Sequence, residues 1–525
     1  MARSDRHGGD RLMAEATAIA ASGSKRLAVT ICVMMATLMQ ALDSTIANVA
    51  LPYMQGSLAT TSSQVNWVLT SYIVAAAILT PATGWLEERF GRRPLFIICV
   101  AGFVIASMLC GTATSIEQMV IYRMLQGAFG APVVPLAQAV LLDSYSARMR
   151  GQAMAVFGLG VMLGPILGPT LGGWLTQYYD WRWVFYVNVP LGVMTLLLAF
   201  GFLEGKKGSS LARLDWLGFA TLGLAIAALQ LFLDRGEQLN WFDSTEIKTE
   251  FILTILGLYL FIVHTVTARK PFLDKRLFAD RNFVMGQVLI FVIGAVLLAT
   301  LSLLAPYLER LMGYSVLMAG LVLAPRGVGT MVAMVLVGRL TSVVDIKYLL
   351  LTGLALTAVA LHQMSMFTPD VSQSTIIWSG IIQGFGLGFV FVPLSTITFV
   401  TLPADLHTQG TGFFSLMRNV GSSVGISVTT FLLSQNAAIV HAGLTNDISP
   451  YSRATQHFSS AVHLDTLAGK AMLNELITVQ AETIAYADNF RLMMYITILT
   501  MPLVFFLRHT KPQKTSSAGK AVTAQ

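Results

Sequence analysis

Runs of about 20 apolar residues recur along nearly the whole chain, and they constrain its fold more than any other feature. An α-helix needs about 20 such residues to cross the bilayer core. A lipid-exposed span must be a helix or part of a closed barrel, because no water satisfies its backbone there. The runs lie near 27–50, 65–86, 94–112, 118–142, 151–176, 183–203, 215–233, 251–268, 283–306, 315–337, 348–366, 374–398, 409–434 and 490–507. The sequence therefore predicts an all-α polytopic membrane protein with fourteen transmembrane helices.

Composition agrees with a membrane protein and excludes several function classes. The 525 residues are 55% hydrophobic and only 12% charged, whereas soluble domains carry about 25% charged residues. No GxxxxGK[ST] phosphate loop, clustered nucleophile or metal-ligand spacing of histidines is present. The net charge of +7 accompanies no nucleic-acid motif. We therefore expect no enzyme, no metal, no cofactor and no nucleic-acid partner.

The distribution of positive charge predicts the orientation of the chain. With an even number of spans both termini lie on one side, and Lys and Arg concentrate in cytoplasmic loops. Placing the termini in the cytoplasm puts 24 of the 34 Lys and Arg in cytoplasmic segments and 6 in outside segments. We expect both termini to be cytoplasmic, in a multi-pass protein of the cell inner membrane.

An internal repeat divides the chain. "ALPYMQ" (50–55) recurs as "LAPYLE" (304–309), and Gly84 aligns with Gly338 at the same offset of 254 residues. "LQGAFGAPVVPL" (125–136) resembles "IQGFGLGFVFVPL" (382–394). Such repeats are typical of secondary transporters, whose site lies between the halves. The predicted segments are a cytoplasmic N-terminus (1–26), a six-helix bundle (27–205), two inserted helices (206–275), a second six-helix bundle (276–507) with an external loop (435–487), and a cytoplasmic tail (508–525).

One acid, Asp43, lies inside the first predicted span. A carboxylate at the centre of a membrane helix costs roughly 2.5–3.5 kcal/mol on insertion scales. At the offset of 254 residues Asp43 aligns with Leu297, so the shared architecture does not require an acid there. We interpret Asp43 as a proton-binding carboxylate; the alternative is a structural acid paired with an arginine on a neighbouring helix.

Four motifs appear in the order that is typical of one transporter family. They are "LDSTIANVALP" (42–52), "GWLEERFGRRP" (84–94), "RMLQGAFGAP" (123–132) and "GPILGPTLGG" (164–173). With fourteen spans, the chain resembles the drug:proton antiporter family of the major facilitator superfamily. "LDRGEQLNWFDSTEI" (233–247) and the long loop before the last span resemble the EmrB-type exporters. The resemblance implies the major facilitator fold, with two six-helix bundles and two inserted helices.

The resemblance also implies roles for individual residues. Proton coupling is assigned to Asp43 and Arg123. A gating motif in the loop after the second span is implied to form an ion-pair latch. Its residues are Gly84, Glu88, Arg89, Gly91, Arg92, Arg93 and, at the end of span four, Asp143. Glu88 stands where the family has Asp. An antiporter motif associated with export comprises Gly164, Pro165, Gly168, Pro169, Gly172 and Gly173.

A substrate cavity is predicted near the midplane between the bundles. Its candidate lining combines polar, aromatic and sulfur-containing side chains: Gln40, Trp67, Tyr72, Gln126, Met162, Arg326 and Arg418. Three helical arginines against one acid favour anionic or neutral lipophilic compounds over dications.

The resulting hypothesis is a proton-driven exporter of hydrophobic toxic compounds that works by alternating access. The alternative is a proton-coupled importer or facilitator for one small metabolite. The segment 467–490 has helical apolar spacing and predicts an external helix before the last span. In EmrB-type systems a periplasmic adaptor docks on this side and leads to an outer-membrane channel, so both are expected partners, together with lipophilic small molecules and the lipid bilayer.

Overall fold

Fourteen long apolar helices make up the protein. The computed structural model describes residues 4–146, 149–204, 213–446 and 466–508. The spanning helices are α1 (Ser24–Ser57), α2 (Trp67–Phe90), α3 (Arg92–Thr112), α4 (Ile116–Ser144), α5 (Arg150–Tyr178), α6 (Trp183–Phe202), α7 (Trp216–Arg235), α8 (Thr245–Thr267), α9 (Arg281–Leu311), α10 (Met318–Leu340), α11 (Ile346–Met364), α12 (Gln373–Val400), α13 (Ala404–Asn446) and α14 (Leu467–Phe506). Each of the fourteen predicted runs falls on one of them, so the predicted all-α polytopic fold is confirmed.

Parts of the predicted segments lie outside the described residues. They are 1–3, residues 147–148 and 205 of the first bundle, the first residues of the inserted segment (206–212), the external-loop residues 447–465 and the tail beyond Arg508. The helix that contains α1 begins upstream of the span, at Ser4.

Several spans are interrupted where proline removes a backbone donor. In α2 a 3-10 turn at Thr80–Ala82 contains Pro81. In α4 two helical segments, Ile116–Gly130 and Val133–Ser144, meet at Pro132. Side chains that a continuous α-helix would place on one face therefore point in different directions before and after each interruption.

The first six and the last six spans each pack mainly among themselves. In the first group α1 packs on α5 and α6, and α2 and α3 pack on α4. In the second group α9 packs on α13, and α12 lies between α10 and α11. The two groups meet through α5 against α10 and α12, and through α13 against α2 and α4. The Phe157 and Phe391 rings stack across this contact with centroids 6.4 Å apart.

The inserted helices pack on each other, and α7 also contacts both groups. Toward the first group, the Thr70 hydroxyl donates to Asp234. Toward the second, Ser423 Oγ donates to Gln230 Oε1 over 3.0 Å and Ser427 Oγ to the Leu233 carbonyl over 2.9 Å. Helix α7 thus lies between the first half of α2 and the middle of α13.

Helices α13 and α14 are longer than a bilayer requires. The helix His407–Asn446 has 40 residues and Leu467–Thr500 has 34. At 1.5 Å per residue these extend roughly 60 and 50 Å, against a hydrocarbon core of about 30 Å. The predicted helix over 467–490 is present as the first part of α14 and continues without a break into the apolar residues that follow. The predicted spans were shorter because hydropathy falls where a helix leaves the bilayer, although its backbone bonds continue.

Candidate functional site

Asp43 is fully buried where α1, α4 and α6 meet. It lies on α1 with 0% of its surface exposed. Its Oδ2 accepts from Arg123 Nη1 of α4 over 2.8 Å. Its Oδ1 accepts from Gln126 Nε2 of α4 and from Asn188 Nδ2 of α6, each over 2.8 Å. An ionised carboxylate with three donors is well satisfied, which offsets the cost of burying its charge.

Arg123 is held from several sides. Its side chain is 1% exposed. Its Nε donates to the Val68 carbonyl over 3.0 Å, and its Nη1 also contacts Gln126 Oε1 at 2.8 Å. The Tyr72 ring lies 4.3 Å from the guanidinium carbon, a cation–π distance. An arginine does not deprotonate in proteins, so this site keeps one permanent positive charge beside Asp43.

The geometry defines what a proton on Asp43 would change. Protonation would remove the attraction between the carboxylate and Arg123 and would turn one acceptor oxygen into a hydroxyl, which donates and accepts only weakly. Contacts between α1, α4 and α6 would then weaken. The ion pair also fits the alternative interpretation of Asp43 as a purely structural acid.

Sequence reasoning missed Asn188. It is 0% exposed, and its Nδ2 also contacts Ser107 Oγ of α3 at 3.0 Å. A signal was available, because Asn188 is a polar amide inside an otherwise apolar run. Its proximity to Asp43 was not readable, since 145 residues separate the two.

Of the predicted cavity residues in the first group, two are buried in the described structure and three are half-buried. Gln126 and Tyr72 are buried, at 0% and 3% exposure, and belong to the Asp43 network. Gln40 donates to the Tyr72 hydroxyl over 3.1 Å. Met162 is half-buried against the main apolar core, and Trp67 lies 5.4 Å below the Arg235 guanidinium. Helix rotation, which the sequence does not report, turned these side chains inward.

The two arginines of the second group are separate from Asp43. Arg326 is 6% exposed and lies among α9, α11, α12 and α14. Arg418 is half-buried on α13, with Nη2 3.5 Å from Asn419 Oδ1. In the described structure Arg123 and Arg326 are enclosed by their own helix groups, so a cavity lined by all three cations stays a prediction.

The glycines of the antiporter motif bring α5 against α1 beside Asp43. A Cβ at Gly164 would overlap the carbonyl group of Ala41, and one at Gly168 would overlap Thr45. Gly172 approaches Ile46, whereas a Cβ at Gly173 would meet nothing nearer than 3.9 Å. The Thr45 hydroxyl donates to the Gly164 carbonyl over 3.1 Å. Pro165 and Pro169 lie on the same helix.

A polar cluster joins the start of α3, the end of α4 and the start of α13 on the predicted cytoplasmic side. Arg92 Nη1 donates to Asp143 Oδ2 over 2.8 Å, and His407 Nδ1 lies 2.7 Å from Asp143 Oδ1. Arg92 Nη2 also contacts Thr408 Oγ1 at 3.4 Å. Because α13 belongs to the last six spans, these contacts join the two groups. We call Arg92, Asp143, His407 and Thr408 the latch.

The gating motif contributes differently from the prediction. Arg92 pairs with Glu87, Nε to Oε1 over 2.6 Å, and not with Glu88. Glu88 is exposed and pairs with no cation among the described residues. The reason is the turn at Gly91, whose φ of +84° brings Arg92 back over Glu87.

Arg93 and Gly84 make other contacts. Arg93 donates to the Phe200 carbonyl over 2.7 Å, within the first group. Arg89 is half-buried. Gly84 packs against α13, where a Cβ would lie 2.8 Å from Gln409 Cβ. The cross-group partner His407 was missed, because 264 residues separate it from Asp143.

Weakening the latch is expected to open the predicted cytoplasmic side. In Asp143→Asn, Arg92 and His407 lose a charged acceptor, and such bonds contribute about 1.5–3 kcal/mol. The open population should then rise about tenfold. Labelling of Thr411→Cys by a membrane-impermeant maleimide in everted vesicles measures it, because Thr411 donates to the Pro135 carbonyl across the interface and the three native cysteines are buried.

Glu88→Gln is the matched control for this experiment, since it makes the same acid-to-amide change beside the latch. Its labelling rate should equal that of the parent. Equal labelling of Asp143→Asn and Glu88→Gln would show that the latch does not hold the two groups together.

Comparison with known proteins agrees with the architecture. The family model described as Major Facilitator Superfamily matches residues 33–426 of the chain. Multidrug export protein EmrB of Escherichia coli (strain K12) is 33% identical over 491 residues, 93% of this chain and 96% of that protein. Fatty acid resistance protein FarB of Neisseria gonorrhoeae is 34% identical over 497 residues, 94% and 97% of the two chains.

Solved structures share the fold at low sequence identity. The proton:xylose symporter XylE superposes with a TM-score of 0.62 at 14% identity, covering 93% of this chain and 97% of its own. The human organic anion transporter MFSD10 gives 0.58 at 16% identity, covering 91% and 99%. With a family match over three quarters of its length, and EmrB one-third identical over nearly all of it, the chain belongs to the Major Facilitator Superfamily, as an EmrB-type transporter and not an enzyme.

Proposed function

We propose that this protein exports hydrophobic toxic compounds in exchange for protons. The observation that carries the proposal is the buried network around Asp43, one acid held by Arg123, Gln126 and Asn188 at the centre of the first six spans. The names of the relatives support export, since they are described as multidrug export and fatty acid resistance proteins.

Alternating access supplies the mechanism. The first six spans (27–205) and the last six (276–507) rock as two bundles, with α7 and α8 inserted between them. The described state is closed at the latch. A proton that enters from the outside neutralises Asp43 and loosens α1 from α4 and α6. Because α5 packs on α1 through Gly164 and Gly168, the change at Asp43 reaches the α5–α10 contact between the bundles.

Compounds would bind between the bundles near the midplane. Gln40 and Trp67, neither fully buried, together with Arg418, remain candidates for the lining. Met162 supplies an adaptable apolar contact. Arg418 is the one predicted cavity cation that is neither tightly enclosed nor ion-paired in the described structure, which favours neutral or anionic lipophiles.

Everted membrane vesicles test the direction and the coupling of transport. In vesicles with an acidic interior, a lipophilic substrate should be taken up and should release protons, and an uncoupler should abolish both. A pH-sensitive dye reports the protons, and vesicles without the protein are the control. Uptake of a small metabolite into intact cells, without proton release by lipophiles in vesicles, would instead support an importer or facilitator.

The orientation and the location follow from the same proposal. With both termini in the cytoplasm, the long ends of α13 and α14 project outward from the inner membrane. A reporter that fluoresces only in the cytoplasm should be active when it is fused after Gln525, and an alkaline phosphatase fusion at the same position should be inactive. The reverse result would overturn the orientation.

The projecting ends of α13 and α14 are the proposed docking surface for a periplasmic adaptor that leads to an outer-membrane channel. The two helices pack together there, with His441 Nε2 3.2 Å from Asn474 Oδ1. Exposed apolar side chains, including Ile439, Met472 and Leu476, remain on this pair. Charged replacements at Ile439 and Met472 should reduce drug resistance of cells without reducing uptake by vesicles, which need no adaptor. A parallel loss of both would contradict a docking role.

A further inference from the structure

The last six spans enclose an arginine without a counter-ion. Arg326 of α10 is 6% exposed. Its Nη2 reaches the Leu297 carbonyl at 3.4 Å, a long contact. Its Nη1 is buried and has no hydrogen-bond acceptor among the described residues, none of whose acids pairs with it. A buried charge with no partner is strongly unfavourable, so a negative group beside Arg326 would stabilise it, and the described residues supply none.

The repeat shows what is missing. At the offset of 254 residues, Leu297 aligns with Asp43 and Arg326 aligns with Tyr72. In the first six spans the buried cation comes from α4 and meets the carboxylate of α1. In the last six the cation comes from α10, and the aligned position on α9 is leucine. Two corresponding sites thus hold one cation each, and only the first holds an anion.

A small cavity lies beside Arg326. Its volume is about 30 Å³, enough for one or two water-sized particles. Leu297, Thr357, Gln383 and Thr497 line it together with apolar side chains. Gln383 is 2% exposed, and although its Nε2 contacts Thr300 Oγ1 at 3.1 Å, its Oε1 has no partner among the described residues. Two residues that line this cavity thus each carry one unsatisfied polar group, a donor on Arg326 and an acceptor on Gln383.

We propose that this cavity binds a small monovalent anion at Arg326. The anion accepts from Nη1 of Arg326, and a water bound to it donates to Oε1 of Gln383. The occupant has the chemistry of a halide or of a carboxylate group. It is either a free ion or the head of an amphipathic substrate, and only the second source rests on the proposed export function.

Anion-dependent stability tests the site in the purified full-length protein. The apparent Tm is measured in detergent at constant ionic strength while chloride replaces gluconate, whose polyhydroxylated chain is poorly suited to the mostly apolar lining. Chloride should raise the Tm saturably, by about 2 °C or more. Arg326→Gln should abolish the rise, and Arg418→Gln should retain it, since Arg418 lies outside the cavity.

Leu297→Asp gives an independent test that does not remove the arginine. It places a carboxylate where Asp43 stands in the first six spans, so the protein should lose its anion dependence because the counter-ion is now internal. This variant decides the question even where Arg326→Gln fails to fold. A chloride effect of the same size in the parent and in Leu297→Asp would overturn the proposal, because it would be a general salt effect.

A second arm identifies the source of the anion. Decanoate and decanol are compared in gluconate buffer, since they share a chain length and differ in charge. A rise in Tm with decanoate alone, absent in Arg326→Gln, assigns the site to a substrate carboxylate. A rise with chloride alone assigns it to a free ion. No Arg326-dependent rise with either would refute the site. The measurement needs no transport, so failure of the export proposal would be seen separately.

Discussion

Asp43→Asn is expected to abolish substrate-driven proton release in everted vesicles. The amide keeps the shape of the side chain but does not take up a proton, so the exchange cycle loses its coupling step. It also leaves Arg123 buried without a counter-ion. Removing one partner of a buried pair costs about 3–5 kcal/mol, so the Tm should fall as well. The pH-sensitive dye and a thermal unfolding curve measure the two effects.

The double variant Asp43→Asn with Arg123→Gln separates coupling from stability. It removes both buried charges, so much of the lost stability should return, because replacing a whole buried pair costs far less than breaking it. Proton release should not return, since no carboxylate remains at the site. If the double variant regains stability and also transports with proton release, Asp43 is a structural acid and coupling resides elsewhere.

Gly164→Ala is expected to lower the free energy of unfolding by about 3 kcal/mol or more. Overpacking a tight core typically costs 1–3 kcal/mol, and here the added methyl group would overlap the backbone of Ala41, a group that cannot rotate away. To make room, α5 must shift from α1 and carry the bond between Thr45 and the Gly164 carbonyl with it. The yield of monodisperse protein and its Tm report the loss.

Gly173→Ala is the matched control within the same motif. A methyl group there would lie 3.9 Å from its nearest neighbour, Val49 Cγ1, so stability and transport should match the parent. Gly168→Ala should resemble Gly164→Ala in direction, because its methyl group would overlap Thr45. Equal tolerance of Ala at 164 and 173 would mean that close packing on α1 is not the purpose of the motif.

The membrane makes some features of this protein readable from sequence. The thickness of the bilayer sets the length of a span, so fourteen apolar runs correspond to fourteen helices. The scarcity of charge inside those runs made Asp43 conspicuous, because each buried charge needs a compensating partner. The repeat offset was visible because Pro52 and Pro306, like Gly84 and Gly338, keep their spacing.

The partners of these residues were not readable. Helix rotation and packing between distant segments decide them, and hydropathy carries neither. Glu87 and Glu88 are adjacent in sequence, yet the backbone turn at Gly91 directs Arg92 to the first. Gln126 and Tyr72 have the composition of cavity-lining residues but point into the Asp43 network.

By itself, then, the sequence determined the number of helices, the family resemblance and the presence of one exceptional acid. The number of helices and the exceptional acid are readable because transfer free energies add along the chain, and the resemblance is readable because its motifs are continuous in sequence. Only the tertiary structure decided that Asn188 completes the Asp43 site, that His407 joins the two groups, and that Arg326 faces a cavity without an acid. Such contacts join residues that the chain holds far apart, and only the packing of whole helices brings them within hydrogen-bonding distance.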